Sequence, residues 1–394
     1  MFPVAISDEQ LRSLLREASD LQPDLDTHLS AAAFDGLPPH GPFVLGAMAF
    51  RGGATGGLKH VLGITDQQAG EIVDGLVRHG YLDLRVDPAD RRRVRIELTD
   101  RGRAVALSLW DFLRTRRWRD FPFRAGDIVV STPAKSGTTW MQMMCALLIL
   151  RTADLPASMP RLSPWLDDMA CSREEVFAAL AGQSHRRVIK THTPLSDIAM
   201  APGAPEVTWI VVARNPLDTA ISLYHQSLNN VDAPRGVTGP GGPRPGQDQA
   251  AARKWLARWI EDDSAREGQP SSLPGMMWHW SDAWSRRAEG VLLFHYEDLS
   301  ADLSGEMTRL GQHLGMTTGG TGWADLVAAA SFERMRAAAN RLQPLGPARN
   351  NTAFFRRGGS GSGAVLLTDG ELARYRARAA TLAPPDLLEW LHRR

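Results

Sequence analysis

Three apolar residues, Ile128-Val129-Val130, run into the polar stretch Ser131-Thr132-Pro133-Ala134-Lys135-Ser136-Gly137-Thr138-Thr139-Trp140, and an apolar helix pattern from Met141 to Leu150 follows at once. Strand, tight turn and helix start in that order leave few ways to fold, because the turn must pass its backbone across the helix N-terminus. The first N–H groups of a helix have no partner inside it, and the aligned peptide dipoles add partial positive charge. The turn is therefore a cradle for an anion such as phosphate. Lys135 adds a full charge, and Ser136, Thr138 and Thr139 add hydroxyl donors. In a Walker A loop the lysine follows the last glycine, whereas Lys135 precedes Gly137. The segment predicts a nucleotide site that differs from an ordinary ATP-type P-loop.

A chain of 394 residues is long for one core and comfortable for two domains. Its 45 basic and 44 acidic residues nearly cancel, so net charge argues neither for nucleic acid nor for a membrane. The two cysteines, Cys145 and Cys171, form no CxxC pair and can build neither a disulfide framework nor a zinc site, and Cys145 reads as core. No metal site is expected. Met1-Phe2-Pro3-Val4 lacks the basic and apolar regions of a signal peptide. No window approaches the roughly 18 consecutive apolar residues needed to span a bilayer. The expectation is a soluble, reducing, cytoplasmic setting with no membrane partner.

From Leu58 to about Arg103 the pattern is helix, turn, helix, hairpin. Leu58, Val61 and Leu62 end a short helix and Gly63 permits a turn. Thr65 and Gln68 then make a capping-box pair, followed by Ala69, Ile72, Val73, Leu76 and Val77 at helical spacing up to Gly80. Tyr81 to Val86 alternates as a strand, Asp87-Pro88-Ala89-Asp90 supplies turn chemistry, and Val94, Ile96 and Leu98 alternate on the return, with Arg91, Arg92 and Arg93 at its start. This order is that of a winged helix. With the Leu98-Thr99-Asp100-Arg101-Gly102-Arg103 that follows, the stretch resembles MarR-type transcription regulators. In that family the second helix enters the major groove and the wing reaches the minor groove. Here the exposed positions of that helix are Asp66, Gln67, Glu71, Asp74 and Arg78. Their carboxylates oppose the phosphate attraction that dominates DNA affinity, so an interaction or dimerisation module stands beside DNA binding as a reading. The domain division expected is 1–117 for this small α+β winged-helix domain and 118–394 for the remainder.

Beyond Ile128 short apolar strands alternate with helices: Ile128 to Ser131, Val188 to Thr191, Thr208 to Ala213 and Val291 to Tyr296. The fold class expected is α/β, a P-loop-like parallel sheet flanked by helices. Ligands bind beyond the carboxyl ends of such strands. One end carries Lys190-Thr191-His192, where a histidine can take a proton near neutral pH. Another carries Arg214-Asn215-Pro216 ahead of a helix with Ser222, where a guanidinium fork and a hydroxyl suit one phosphate, or where Arg214 and Asp218 form a capping pair. Near the C-terminus, Phe354-Phe355-Arg356-Arg357-Gly358-Gly359-Ser360-Gly361 is a basic glycine-rich loop that can approach an anion closely. Asn229 to Pro274 starts rich in proline and glycine, then carries a helix pattern with Trp255 and Trp259, where a long segment would overlie an acceptor pocket. Met276, Met277, Trp278, Trp280 and Trp284 suit an apolar or aromatic acceptor, or simply a core.

From about Phe121 to the C-terminus these features, in this order, resemble the cytosolic-type sulfotransferases that use 3′-phosphoadenosine 5′-phosphosulfate (PAPS). The resemblance rests on Thr132 to Trp140, Lys190-Thr191-His192, Arg214-Asn215-Pro216 with Ser222, Ser331-Phe332 with Met335, and Arg356-Arg357-Gly358. It implies PAPS as co-substrate, with Lys135 neutralising charge on the bridging oxygen and Ser136, Gly137, Thr138 and Thr139 holding the 5′-phosphate. Trp140 and Phe332 would stack on adenine with Tyr296 at its edge, and Arg214, Ser222, Arg356, Arg357 and Gly358 would serve the 3′-phosphate loop. His192 would take the proton of a small-molecule hydroxyl or amine acceptor and Lys190 would stabilise the transferring group. The family's Gly-Asp-Trp-like segment is replaced by Gly361-Ser362-Gly363-Ala364, which leaves open how this loop closes, and its C-terminal dimer motif is not found, so a homodimer would form differently. The second function reading is a transcription regulator whose sulfotransferase-like domain senses a nucleotide or metabolite. A nucleotide kinase is disfavoured by the lysine order and by the want of an aspartate-ended strand for magnesium.

Overall fold

The computed structural model describes residues 8–50, 62–86, 94–169, 171–198, 205–229, 249–263, 269–342, 354–356 and 358–393. They form two compact units: the first holds the described residues up to Asp120 together with Asp167–Val176, and the second holds the rest.

In the first unit the helices Asp8–Asp20, Gln22–Ala31, Gly41–Phe50 and Asp66–Arg78 precede a hairpin of β1 (Leu82–Val86) and β2 (Val94–Leu98), and the helix Asp100–Asp120 follows. Both capping-box bonds expected between Thr65 and Gln68 are present, and Ile72 and Leu76 are buried as the helical spacing requires. The strands pair antiparallel, Leu82 opposite Leu98 and Leu84 opposite Ile96. Leu58, Val61, the turn Asp87 to Asp90 and the arginines 91–93 lie outside the described residues. Asp66, Gln67, Glu71, Asp74 and Arg78 are all exposed.

The Thr99-Asp100-Arg101-Gly102 stretch closes the hairpin onto the preceding helix. Thr99 Oγ1 donates to the Gly80 carbonyl at 2.7 Å and accepts from the Gly102 amide at 3.1 Å. Arg101 lies 4.4 Å over the Tyr81 ring and donates to the His79 carbonyl at 3.1 Å. Gly102 is required by this approach, since a Cβ there would stand 2.1 Å from the Tyr81 carbonyl oxygen.

A buried ion pair anchors the same unit. Arg117 donates from Nε to Glu17 Oε1 at 3.1 Å and from Nη2 to Glu17 Oε2 at 2.7 Å. It also donates to the carbonyls of Asp168 at 2.8 Å and Cys171 at 3.0 Å, while Trp118 donates to Asp167 at 3.1 Å. Asp167, Asp168 and Cys171 are thereby fixed to the long helix.

In the second unit β3 (Ile128–Ser131), β4 (Val188–Thr191), β5 (Thr208–Ala213) and β6 (Leu292–His295) form one parallel sheet in the order β4-β3-β5-β6. β6 stops before Tyr296, which opens a helix instead of ending the strand, because His295 caps that helix by accepting from the Glu297 amide. The chain leaves β3 for β4 on one side and returns past it to β5 on the other. That reversal opens a crevice at the carboxyl end of β3. Apolar clusters cover both faces of the sheet: Met141, Met144, Leu147 and Leu310 belong to one, and Leu217, Leu256, Met276 and Trp280 to the other. Cys145 is fully buried, and burial pushes its thiol up to about 12, so it is a core residue. Met276, Met277 and Trp280 are core as well, while Trp278 and Trp284 are half-buried. The expected helix with Trp255 and Trp259 spans Gln249–Glu261, and residues 230–248 before it lie outside the described ones. Among the described residues no helix is long and apolar enough to cross a membrane.

Removing one partner of the buried pair leaves the other charge unpaired. Glu17→Ala is expected to destabilise the first unit by about 3–5 kcal/mol in urea unfolding. The double substitution Glu17→Leu with Arg117→Met should recover most of that loss, and additive losses would show that the ion pair is not the anchor.

Candidate active site

The loop after β3 folds as its residues demand. Lys135 takes φ +70° and Gly137 φ +115°. The second is a glycine for space as well as for angle, since a Cβ there would meet Val212 Cγ1 at 3.2 Å and Tyr296 Cδ2 at 3.3 Å. Thr132 Oγ1 and Thr138 Oγ1 share a short hydrogen bond that closes the base of the loop. Gly137 precedes the helix Thr138–Leu150 without any side-chain cap. The helix start therefore keeps its N–H groups and dipole free of a protein anion. Ser136 is fully buried and its hydroxyl has no hydrogen-bond partner among the described residues.

Positive charge collects at the carboxyl ends of the strands. Lys135 Nζ lies 3.9 Å over the Phe354 ring and 3.5 Å from Gln226 Oε1. Burial, then Arg214 and Lys190, push its pKa down to about 7. Arg214, at the end of β5, stacks 4.1 Å over the Tyr296 ring. It donates to the carbonyls of Lys135 at 3.3 Å and Gly359 at 2.9 Å, and its Nε is buried without a partner. Among the described residues neither Lys135 nor Arg214 is ion-paired to a carboxylate. Lys190 Nζ sits 4.1 Å over the Trp165 ring. Ser222 and Gln226 stand one turn apart on the helix Pro216–Asn229 and so share a face, the one that reaches Lys135.

His192 stands where β4 ends. Its Nδ1 is 2.7 Å from the Thr132 carbonyl oxygen, which can only accept, so Nδ1 carries the proton of the neutral ring and Nε2 keeps a lone pair. Burial first, then Lys190, hold its pKa well below the usual imidazole value, against the opposing pull of the Thr132 bond. The ring packs edge-on to Trp165 at 4.9 Å. Beneath it, Ser131 Oγ donates to the Thr193 carbonyl at 2.6 Å and lies 2.9 Å from His279 Nε2.

Aromatic residues form the other flank. Trp140 is T-shaped against Tyr296 at 5.2 Å and donates from Nε1 to the Ala330 carbonyl at 2.8 Å. Ser331 caps the helix that Phe332 opens. A Cβ on Gly358, whose φ is +67°, would fall 2.6 Å from the Phe332 ring, so that ring lies flush on the loop backbone. Arg356 is half-buried beside this loop, and Arg357 lies outside the described residues.

Two contributors carry no signal in local sequence pattern. Trp165 joins the site because Pro164 and Leu166 pair with Lys190, at 2.9 Å and 3.2 Å, along the free edge of β4. Asp218 does not pair with Arg214 as a cap would. Asn215 Oδ1 accepts from the Leu217 amide at 3.0 Å, whereas Asp218 accepts from Gly361 N at 2.7 Å, Ser362 Oγ at 3.1 Å and Gly363 N at 2.9 Å. Lys135 and Arg214 with no carboxylate partner among the described residues, a buried hydroxyl with no hydrogen-bond partner among them, an uncapped helix start and two glycines with little or no room for a side chain fit a ligand with more than one anionic group. Among the described residues no group of three His, Cys, Asp or Glu side chains could hold a metal ion.

Residues 125–376 match the family model described as "Sulfotransferase domain". The chain is 37% identical over 303 residues to a glycolipid sulfotransferase of Mycobacterium bovis, covering 70% of this chain and 90% of that protein. It is 36% identical over 302 residues, with the same coverage, to glycolipid sulfotransferase Rv1373 of Mycobacterium tuberculosis. Among solved structures it is similar to mouse sulfotransferase SULT7A1 complexed with PAP, with a TM-score of 0.53 at 19% identity over 70% of this chain and 92% of that one. Retinol dehydratase in a complex with retinol and PAP has a TM-score of 0.52 at 19% identity over 71% and 85%. These two likenesses show the fold. The match across most of the chain, and the relatives' high coverage, make this protein a member of the sulfotransferase family and an enzyme of that class.

Proposed function

We propose that the protein transfers a sulfuryl group from PAPS to a hydroxyl or amine of a small-molecule acceptor, with His192 as general base. The observation that carries this reading is the pair of cations, Lys135 and Arg214, kept without carboxylate partners beside a neutral histidine at one edge of a parallel sheet. PAPS, when bound, supplies the sulfuryl group, whose bond to the 5′-phosphate oxygen breaks as a bond to the acceptor forms. His192 Nε2 takes the acceptor's proton, since Nδ1 is committed to Thr132. Lys135 stabilises the charge left on the departing phosphate oxygen, and Lys190 acts on the transferring group. Ser136, Gly137, Thr138 and Thr139 hold the 5′-phosphate through the helix start. Arg214, Ser222, Arg356, Arg357 and the Gly358 amide serve the 3′-phosphate, and Trp140, Phe332 and Tyr296 receive the adenine. Positioning and charge stabilisation suffice for in-line transfer without a covalent enzyme intermediate.

The acceptor class we favour is a glycolipid hydroxyl, on the strength of the two mycobacterial relatives. We further infer that residues 1–117 are a MarR-like winged-helix module and 118–394 the sulfotransferase domain, the module's last helix running on to Asp120. Exposed Asp66, Glu71 and Asp74 on its second helix argue for a protein-contact role over duplex DNA.

With PAPS and a glycolipid panel the protein is expected to release adenosine 3′,5′-bisphosphate, and failure to bind that product at all would sink the assignment. His192→Ala should lower turnover by about 100-fold or more with nucleotide binding nearly intact. Arg214→Ala should instead weaken nucleotide binding by about 1.5–3 kcal/mol in calorimetry. Lys135 has a further signature in the ligand-free protein. Its folded pKa of about 7 lies below the ordinary lysine value of 10.5. Between those values the unfolded chain binds the proton and the folded one does not, so this residue makes stability climb as pH rises through that window. Lys135→Met should flatten that climb in thermal unfolding across the window, and an unchanged slope would refute the buried-amine account.

A further inference from the structure

Asp218 is the one acid placed a helical turn from Arg214, and an acid there should weaken anion binding unless its charge is absorbed. It is 3% exposed and makes no ion pair among the described residues. A carboxylate taken out of water is tolerated only when its oxygens are bonded. One loop supplies the donors: Gly361 N on Oδ2 at 2.7 Å, with Ser362 Oγ at 3.1 Å and Gly363 N at 2.9 Å on Oδ1. The fit is mutual. Gly361 takes φ +82°, and a Cβ on Gly363 would stand 2.5 Å from the Leu217 carbonyl. Arg214 grips the same loop two residues earlier, through the Gly359 carbonyl at 2.9 Å, and Ser360 Oγ bonds Glu297. Gly358 is thus held between this double grip and the Phe332 ring. The loop's donors satisfy the oxygens of Asp218, and Arg214 Nε has no partner among the described residues.

We infer that Asp218 is a positioning residue that closes the glycine-rich loop over the 3′-phosphate site, a role that rests on reading Arg214 and Gly358 as that site. It is not a cap for Arg214 and does not touch the reacting atoms. The test compares adenosine 3′,5′-bisphosphate with adenosine 5′-monophosphate by calorimetry on the full chain. Asp218→Asn, which turns one acceptor into a donor, should weaken the bisphosphate by about ten-fold or more. The monophosphate, which lacks the 3′ group, should change by less than about two-fold, and the KM for PAPS should rise with kcat nearly unchanged. Ser362→Ala removes a single bond and should show the same selectivity at about five-fold, which keeps the comparison available if Asp218→Asn fails to fold. Equal losses for both nucleotides, or no loss in either variant, would overturn the inference. A wild-type protein that binds neither nucleotide would overturn the sulfotransferase site reading on which the inference rests, and so separates the two failures.

Discussion

Arg214 is where three segments far apart in the chain are tied together. It closes β5, donates to the Lys135 carbonyl in the loop after β3 and to Gly359 in the C-terminal loop, and lies flat on Tyr296 at the end of β6. Each bond goes to a carbonyl or a ring face, and none goes to a carboxylate. The guanidinium therefore organises the site and keeps its full charge. The cost appears on Lys135, whose ammonium is disfavoured by burial beside Arg214 and Lys190. An anion placed beside Lys135 would offset that cost by favouring its ammonium form.

The same loop orients His192. The Thr132 carbonyl fixes which nitrogen of His192 carries the proton, three residues before Lys135. Because burial first, and then Lys190, His279 and Lys135, disfavour the imidazolium, His192 waits neutral and is a poor final home for a proton. That suits the general-base role proposed for it, in which it accepts a proton only as the acceptor oxygen gives it up. Trp165 serves both neighbours, with the Lys190 ammonium over its ring face and the neutral His192 ring T-shaped against it.

What could be read in advance follows from range. The four strands and their polar ends were legible because each is a short apolar run with its functional residues adjacent in sequence. A parallel sheet then brings those ends to one edge whatever the intervening chain does. The capping box was legible for the same local reason. Of the two readings of Arg214 and Asp218, the capping pair does not form, because the partners of Asp218 lie 143 to 145 residues away and Asn215 already fills the local capping role. Glu17 and Arg117, 100 residues apart, leave no trace in either helix pattern. The Thr99 to Gly102 motif illustrates the reverse. Thr99, Arg101 and Gly102 are consumed by contacts to Gly80, Tyr81 and His79, so these three report how a hairpin is closed and say nothing about what the unit binds.

The two ends of the sheet show how the fold separates structure from chemistry. At the amino end Arg187 and Asp127 are both buried and form a bidentate pair, and Arg187 also stacks on Phe121. At the carboxyl end an arginine and an aspartate, Arg214 and Asp218, are again both buried and close in sequence, yet they do not pair. Backbone and hydroxyl donors of one loop satisfy the oxygens of the acid, and carbonyls hold the arginine. A salt bridge there would satisfy both groups as well as the one at the amino end does. It would also leave no charge for a ligand. Keeping the two apart requires a loop able to present two amides and a hydroxyl to a carboxylate at close range, which explains Gly361-Ser362-Gly363 at that place in the chain.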